Sequence, residues 1–516
     1  MSGAAERGIA MKPAGIRAAL LRSGMGCFLF AVCVSAFNIL ALPYARACYG
    51  YAALPMWIAC ALAVALFCAC GRAIRRLDEA RARRAASLAG RIFLLALFCL
   101  HLLMGYWLEY TPSGDNFMLY NGSQMLARDG NFDAYPDFGL YLSRFSNQWG
   151  FFLMLTAFYR LLGMLGVTQS FFPLVLVQAV LYGLALRAAL RMARRLFGAQ
   201  GELMLLILLA LCFPLYLAAA VLYTDTFSLP FVLLALDFAL RAGDAQTAKG
   251  QVGFAAACGA AVLVGGQIKM TVVIVLIASV IVWALTMKPL RALVCGGLCA
   301  ALLLTGSLFV RGTMLGGIID PDVHAQQYTP PIHWIMMSIP TSDNPYGGAT
   351  GDYGITWGMM DDGAPREEIM DSIYARIRDR LYTLRYPDRL ITAALRKNAA
   401  ALGDGTFGMT EMLDDGPVRE NVVSSLVLEG RAHYRLYSAV TSGIWAAQML
   451  LAALGSLRAI RARDLHTALP CIALFGMMLF LMLWEARGRY IFGFVPVMLL
   501  LACGGALGHE KEVNAP

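Results

Sequence analysis

Two aspartates stand at places where a substrate hydroxyl could be activated at a membrane surface. Asp115 follows a long apolar run in "PSGDNF", and Asp225 follows another in "LYTDTFSLP". A carboxylate in such a position can accept a proton from a hydroxyl or hold the hydroxyl in place. Aspartate beside Gly, Ser or Thr is also a common turn former and helix cap, so each residue alone has an ordinary structural explanation.

Three cations border apolar runs in the same way. Lys269 lies in "GGQIKMTVV", and Arg487 and Arg489 lie in "WEARGRYIFGFVP". A cation between two apolar segments is unfavourable unless it has a partner or reaches the interface. A lipid phosphate would supply that partner, because Arg pairs with phosphate through two hydrogen bonds. Pairing with Glu485, or extension to lipid headgroups, is the alternative explanation.

Other polar residues at the edges of apolar segments are candidate substrate contacts, with capping or packing as their alternative roles. They are Arg144, Gln148, Tyr223, His333 and Glu485. The thirteen cysteines lie mostly inside apolar runs and lack metal-type spacing, so we predict neither a cysteine-ligated metal site nor a disulfide framework.

Composition sets the class of protein. Of 516 residues, 59% are hydrophobic and only 15% charged, and the mean hydropathy is +0.63. A soluble chain of this size cannot bury that much apolar surface, so we predict an all-α polytopic membrane protein. The net charge of +9 is explained by basic loops, and no nucleic-acid-binding module is visible. The basic start of the chain indicates a cytoplasmic tail and not a removed signal peptide.

Apolar runs predict about twelve transmembrane helices. The predicted spans are 24–45, 51–70, 92–110, 169–190, 201–222, 226–241, 252–268, 270–287, 290–310, 436–457, 466–484 and 489–508. Basic segments belong on the cytoplasmic side. This rule places both termini inside, together with the basic segments 71–91, 191–197, 288–291 and 456–464. It places all five of the charged candidates Asp115, Asp225, Lys269, Arg487 and Arg489 outside.

One further apolar stretch, 148–166, is marginal in length for a crossing. If it crossed, the basic segment 191–197 would lie outside, against the charge rule. We therefore predict a juxtamembrane helix on the outer side, with a thirteen-span arrangement as the alternative.

The chain divides into four predicted regions. Residues 1–91 hold the tail, two extra spans and a basic loop, and 92–311 form a catalytic membrane core with a first outer loop at 111–147. Residues 312–435 form a large extracytoplasmic loop of mixed charge, and 436–516 hold the last three spans and a cytoplasmic tail. Within the large loop, 365–402 predicts two amphipathic helices broken near Pro387.

Four segments together resemble the GT-C glycosyltransferases. This superfamily includes protein O-mannosyltransferases and aminoarabinose transferases of lipid A, and the sequence looks nearest to its family 39-like branch, in bacterial envelope polysaccharide pathways. The resemblance is carried by "GDNFMLYNGSQMLARDG" and the residues after it (114–163), "LYTDTFSLPFVLLAL" (222–236), "GGQIKMTVVIVLIA" (265–278) and "EARGRYIFGFVPVMLLLA" (485–502).

The resemblance implies transfer of a sugar from a polyprenyl-phosphate donor to an envelope glycan, lipid or protein acceptor, at the outer face of the plasma membrane. It implies Asp115 as general base, Asp225 as the second acidic residue, and Lys269, Arg487 and Arg489 as ligands of the donor phosphate. Relatives often carry Lys-Pro-Pro or His-Pro-Pro where this chain has Ser146-Asn147-Gln148. A phosphate contact supplied there in relatives must come from elsewhere, for example Arg144. A divalent cation, Mg²⁺ or Mn²⁺, stays open.

Two other classes of membrane protein remain as alternatives. A polysaccharide polymerase or ligase also has a large outer loop with arginines. A secondary transporter also commonly has twelve spans, but its halves usually show repeat symmetry, which these halves lack.

Overall fold

The computed structural model describes residues 15–167, 170–348, 351–413 and 418–508. Those ranges contain no β-strand, as an all-α fold predicts. The 3₁₀ helices are Ser146–Gln148, Met270–Val272, Glu411–Leu413 and Gly488–Phe494. In chain order the α-helices are α1 (Ile16–Ala41), α2 (Tyr44–Tyr49), α3 (Ala53–Arg75), α4 (Glu79–Trp107), α5 (Gly114–Asp129), α6 (Asp137–Arg144), α7 (Trp149–Met164), α8 (Phe171–Ala210), α9 (Pro214–Leu217), α10 (Thr224–Asp244), α11 (Ala248–Ile268), α12 (Val273–Thr286), α13 (Pro289–Leu315), α14 (Pro321–Gln327), α15 (Pro331–Ser338), α16 (Asp352–Asp361), α17 (Arg366–Thr383), α18 (Pro387–Leu402), α19 (Val422–Val427), α20 (Tyr434–Ala462), α21 (Ala468–Leu483) and α22 (Val495–Leu507).

Helix α8 is a hairpin of two antiparallel arms. Gly198 has φ 72° and ψ −170°, a backbone conformation that glycine adopts far more readily than other residues. Gln178 donates a hydrogen bond from Nε2 to the carbonyl oxygen of Ala218 at 2.9 Å. These two residues lie equally far before and after Gly198 in the chain, so the second arm returns along the first. The predicted spans 169–190 and 201–222 are therefore two separate passes.

Described helices account for twelve passes between the two ends of the bundle. Nine are long and apolar enough to cross a membrane, and one of these is the double-armed α8. The apolar helices Met270–Thr286 and Ala468–Leu483 are shorter and supply two more. Gln200, at the turn of the α8 hairpin, donates from Nε2 to the carbonyl of Leu77 at 3.2 Å. The turn thus lies at the same end as the basic segment 71–91, as the twelve-span arrangement requires.

The return arm of α8 is less regular than the predicted span 201–222. Its helix ends at Ala210, and only the short α9 follows before residue 223. Carbonyl groups freed by this break accept hydrogen bonds from buried side chains: His101 donates from Nε2 to Leu215 at 2.9 Å, in the same way as Gln178 to Ala218. Those side-chain donors make an irregular backbone tolerable inside an apolar bundle.

Helix α7 begins at one end of the bundle, which we call the loop end, and the helix that follows it starts at the same end. At its start, Gly150 packs so closely on Gln267 that an added Cβ would lie 2.5 Å from the Gln267 Cβ, and Gln267 is in the last turn of α11. After α7, Phe171 packs its ring 5.5 Å from that of Tyr110, just beyond the end of α4. The chain thus contacts the loop end both at the start of α7 and after it, an arrangement compatible with the non-crossing interpretation of 148–166.

The segment 312–435 folds over the loop end as a small helical region with its own apolar core. Helices α17 and α18 are separated at Pro387, as the amphipathic pattern of 365–402 predicts. Proline at the first position of α18 lacks an N–H that would otherwise stay unpaired there. The apolar core of this region consists of Met336, Met360, Ile369 and Ile373.

The N-terminal helices hold this region in place. Asn38, at the end of α1, donates from Nδ2 to the carbonyl of Leu395 at 2.6 Å. Tyr51 donates from its hydroxyl to the carbonyl of Gly403 at 2.9 Å. Both contacts reach α18 or its C-cap, so α1 to α3 brace the large loop at the loop end.

Candidate functional site

Asp115 lies in the first turn of α5, where the helix dipole favours a carboxylate. Tyr141 donates a hydrogen bond from its hydroxyl to Oδ1 at 3.1 Å, and Tyr223 donates to Oδ2 at 2.8 Å. The aspartate is partly exposed, whereas both tyrosines are buried. A carboxylate has about four lone-pair sites. The two phenols therefore orient the group and leave it able to accept a further proton.

Asp225 lies deeper, with 3% of its surface exposed. Lys269 forms an ion pair with its Oδ1, and the Nε of Arg489 lies 3.4 Å from its Oδ2. The Lys269 ammonium also lies 4.1 Å from the centre of the Tyr490 ring, within cation–π range. This arrangement satisfies the rule that buried charges need partners.

Two glutamates complete the charged cluster. Arg489 pairs through Nη1 with Oε2 of Glu411 at 2.7 Å. Arg487 pairs through Nε with Oε1 of Glu485 at 3.2 Å, and Tyr490 donates from its hydroxyl to the other oxygen of Glu485 at 3.0 Å. The three predicted cations thus pair with three carboxylates, those of Asp225, Glu411 and Glu485. The net charge of this cluster, in which Asp115 is not counted, is therefore close to zero.

Breaks in the helices at the loop end position these charges. Tyr223 is the extended N-cap of α10, which puts Asp225 in the first turn of that helix. Lys269 is extended between α11 and the 3₁₀ helix that follows, and Arg487 is extended before Gly488–Phe494. Non-helical backbone at such depth occurs where protein or a polar cavity surrounds it.

Tyr223 joins the two aspartates into one site. Its hydroxyl contacts Asp115, and its ring centre lies 5.5 Å from the Arg489 guanidinium carbon. Arg489 in turn contacts Asp225, which is paired with Lys269. The predicted residues Asp115, Asp225, Lys269, Arg489 and Tyr223 therefore converge.

Three other predicted contacts lie outside this cluster. Arg144 donates from Nε to Oε1 of Gln327 at 3.0 Å, pairs with Asp361 and lies 5.1 Å from the Trp357 ring centre. Gln148 is buried beside the start of α7. No hydrogen bond or ion pair among the described residues joins either of them, or His333, to the cluster.

His333 is packed inside the large loop, which matches the ordinary alternative for a histidine beside tryptophan. It is fully buried, and its Nδ1 lies 3.0 Å from the Thr356 hydroxyl. Burial lowers the pKa of His333 to about 4, so the ring is neutral at physiological pH.

The sequence-based prediction missed Tyr141, Glu411 and Tyr490. Tyr141 lies 26 positions from Asp115, and Glu411 lies 78 positions from Arg489. No spacing rule links residues so far apart in the chain. Tyr490 directly follows the predicted residue Arg489 and precedes α22. Its position next to Arg489 was the only feature of the sequence that could have indicated a role in the site.

A separate cavity of about 410 Å³ opens at the loop end beside α13. Arg366 lines it and donates from Nη1 to the carbonyl of Tyr328 at 2.6 Å, and burial lowers the pKa of Arg366. In the described part of the chain, neither Arg311 nor Arg366 forms an ion pair with a carboxylate. The lining residues are Ser146, Arg311, Leu315, Pro321, His324, Ala325, Tyr328 and Arg366.

The fold and the site define a polytopic helical membrane protein with a polar, charged site at one end of its bundle. The chain belongs to the family described as "Conserved hypothetical integral membrane protein", whose model matches residues 55–506. A search of curated proteins found no significant match.

One solved structure was found to be similar, the crystal structure of ArnT from Cupriavidus metallidurans bound to undecaprenyl phosphate. It is 16% identical, and the match covers 81% of this chain and 77% of that chain with a TM-score of 0.33.

Proposed function

We propose that this protein is a membrane glycosyltransferase that moves a sugar from a polyprenyl-phosphate donor to an envelope acceptor. The loop end would face the outside of the plasma membrane, with both termini in the cytoplasm. The observation that supports this most is the partly exposed Asp115 carboxylate, oriented by two phenols and joined through Tyr223 to a charged cluster. Such a group suits proton removal from a hydroxyl nucleophile.

In the proposed reaction, the acceptor hydroxyl oxygen attacks the anomeric carbon of the donor sugar. The bond between that carbon and the phosphate oxygen breaks, and the phosphate leaves with the bonding electrons. Asp115 takes the hydroxyl proton, while Tyr141 and Tyr223 keep its carboxylate oriented. A single in-line displacement inverts the anomeric centre. Holding both partners at one site contributes much of the rate.

The donor phosphate needs cations that are free to bind it. Lys269, Arg487 and Arg489 remain proposed ligands, but each already has a carboxylate partner that a phosphate would have to displace. The cavity beside α13 presents Arg311 and Arg366 with no acidic residue in its lining. Arg366 is partly buried and Arg311 is exposed at the cavity. A partly buried cation without a counterion favours an anionic ligand, which an exposed arginine beside it can also contact. We therefore place the donor phosphate in this cavity.

The position of the cavity suits a lipid-linked donor. Arg311 lies in the last turns of α13, whose exposed face is apolar at Leu304, Leu308 and Phe309. A prenyl chain could lie along that face while its phosphate reaches Arg311. Ser146, in the cavity lining, follows Tyr141 by five positions, and Tyr141 contacts Asp115. One short segment thus connects the cavity to the proposed base.

The carboxylates of the site do not fit a divalent cation as they stand. Asp115 is held by two phenols, and Asp225, Glu411 and Glu485 are paired with cations. Within the described ranges, no three His, Cys, Asp or Glu residues group around a common point. The proposed mechanism therefore has no step through Mg²⁺ or Mn²⁺.

The function is tested by comparing envelope glycans from cells with and without the protein. We expect mass spectrometry to show the loss of one sugar unit from a glycan, lipid or protein when the protein is absent, and its return on complementation. Accumulation of the corresponding polyprenyl-phosphate sugar should accompany the loss. Unchanged glycans together with altered uptake of a solute would favour a transporter instead.

The cavity assignment makes a separate prediction. Arg311→Gln should weaken binding of undecaprenyl phosphate about 10- to 100-fold, because a charge-assisted hydrogen bond contributes about 1.5–3 kcal/mol. Binding can be measured by native mass spectrometry of the purified protein in nanodiscs. Arg378→Gln is the matched control, since Arg378 is a highly exposed arginine of α17 that does not line the cavity. If Lys269→Gln weakens binding and Arg311→Gln does not, the phosphate belongs in the charged cluster.

A further inference from the structure

Five aromatic side chains form a connected surface at the loop end, which we call the aromatic platform. All five are partly exposed, although they carry large apolar surfaces. One comes from the first outer loop, three come from the large loop, and one follows the end of α21. They are Phe145, Trp334, Tyr353, Trp357 and Trp484.

The rings of the platform contact one another in an unbroken series. Tyr353 and Trp357 have ring centres 4.8 Å apart, and Trp357 meets Phe145 edge-on at 5.5 Å. Phe145 lies 6.4 Å from Trp334, which stacks on Trp484 at 5.7 Å with an interplanar angle of 10°. These separations are typical of favourable aromatic pairs.

The platform borders the proposed catalytic base. Phe145 lies 4.8 Å from the ring of Tyr141, whose hydroxyl donates to Asp115. Trp484 directly precedes Glu485 of the charged cluster. Burial raises the pKa of Tyr353, and the charges of Glu485 and Asp115 raise it further, so Tyr353 lies within electrostatic reach of both carboxylates.

Tryptophans that anchor a membrane protein at the interface are arranged differently from the rings of the platform. Aromatic residues at a membrane interface face the headgroups individually. Trp57, at the start of α3, is of this type, with 47% of its surface exposed and its Nε1 donating to the carbonyl of Leu40. The platform rings instead converge from three parts of the chain beside carboxylates and phenols.

A pyranose ring has the complementary chemistry. Its C–H faces are apolar and its rim carries hydroxyl groups, so it suits a site with aromatic faces and a few polar groups at the edge. We propose that the aromatic platform binds a pyranose unit of a saccharide acceptor and presents one of its hydroxyls to Asp115. This inference rests on the proposed function and deepens it, because it identifies the acceptor as a glycan.

The arrangement favours the acceptor over the donor sugar as the ligand of the platform. Trp334, Tyr353 and Trp357 belong to the segment 312–435, which lies beyond the ends of the spanning helices. A soluble or surface glycan can reach this side directly. The donor would approach from the lipid side, at the cavity beside α13.

The experiment measures saccharide binding to the full-length protein in nanodiscs by saturation-transfer NMR. The probes are methyl glycopyranosides of glucose, galactose, mannose and N-acetylglucosamine, with sorbitol as an acyclic polyol control. We expect at least one pyranoside to bind and sorbitol not to bind. Trp334→Leu should weaken that binding about tenfold, as the loss of one aromatic contact implies. Trp334→Phe, which keeps an aromatic face, should retain most of it.

Matched variants separate binding from misfolding. Trp57→Leu removes a tryptophan at the same end of the bundle and should leave pyranoside binding unchanged. If Trp334→Leu folds poorly, Trp357→Leu tests the same surface. The platform proposal is overturned if no pyranoside binds better than sorbitol, or if Trp57→Leu weakens binding as much as Trp334→Leu. Because this assay involves no transfer, pyranoside binding by a protein without transferase activity would reject the proposed function and leave the platform intact.

Discussion

Asp115→Asn abolishes sugar transfer while the protein remains folded. Asparagine keeps the shape of the side chain: its amide oxygen can accept from one of the phenols Tyr141 and Tyr223, and its NH2 group can donate to the other phenol oxygen. It cannot, however, take a proton from the acceptor. Loss of a general base typically lowers the rate about 10²- to 10⁴-fold. The measurement is complementation of cells lacking the protein, read by mass spectrometry of envelope glycans and normalised to the amount of folded protein.

Asp133→Asn is the control for this prediction. Asp133 is exposed in the same outer loop and lies outside the proposed site. Its backbone N–H donates a hydrogen bond to the side-chain oxygen of Asn131. We expect wild-type glycans from this variant. Full complementation by Asp115→Asn would reject Asp115 as the base, and equal loss from both variants would point to a general effect on folding or insertion.

Lys269→Met causes the largest expected loss of stability. It leaves the Asp225 carboxylate buried with only the longer contact to Arg489. Removing one partner of a buried ion pair usually destabilises a protein by about 3–5 kcal/mol, because the remaining charge stays desolvated. The free energy of unfolding, or the thermal midpoint at fixed detergent concentration, measures this effect.

A second substitution shows whether the pair is the cause. Asp225→Asn combined with Lys269→Met removes the stranded charge, so the double variant should be more stable than Lys269→Met alone. Arg128→Met is the control, because Arg128 pairs with Asp129 at an exposed position, and its loss should leave the stability almost unchanged. A Lys269→Met protein as stable as the Arg128→Met protein would contradict the buried pair.

Much of the architecture could be predicted from local patterns. Apolar runs of sufficient length predict spanning helices wherever they occur, since unpaired backbone groups are costly in lipid. The charge rule predicted that 148–166 stays on one side, and the chain contacts the loop end both at the start of α7 and at Phe171 after it. The pattern around Pro387 predicted the break between α17 and α18, because proline restricts the residue before it and favours the first helical position.

The irregular parts of the spans were not predictable in the same way. Hydropathy indicates an apolar segment at 201–222 but does not show that its helix ends at Ala210. That break depends on Gln178 and His101, which come from other helices and satisfy the freed carbonyl groups. Local propensity contains no information about such distant donors.

By itself, the sequence determined the class of protein, because hydropathy acts locally along the chain. Hydropathy and charge also predicted about twelve passes and a common side of the membrane for Asp115, Asp225, Lys269 and Arg489. Only the tertiary structure decided which charges meet. Glu411, 78 positions before Arg489, neutralises a cation that the sequence shows as isolated. Tyr223 links the two aspartates only because α5 and α10 come together at the loop end. Burial and pairing depend on contacts between distant segments, and these contacts set the charge balance of the site.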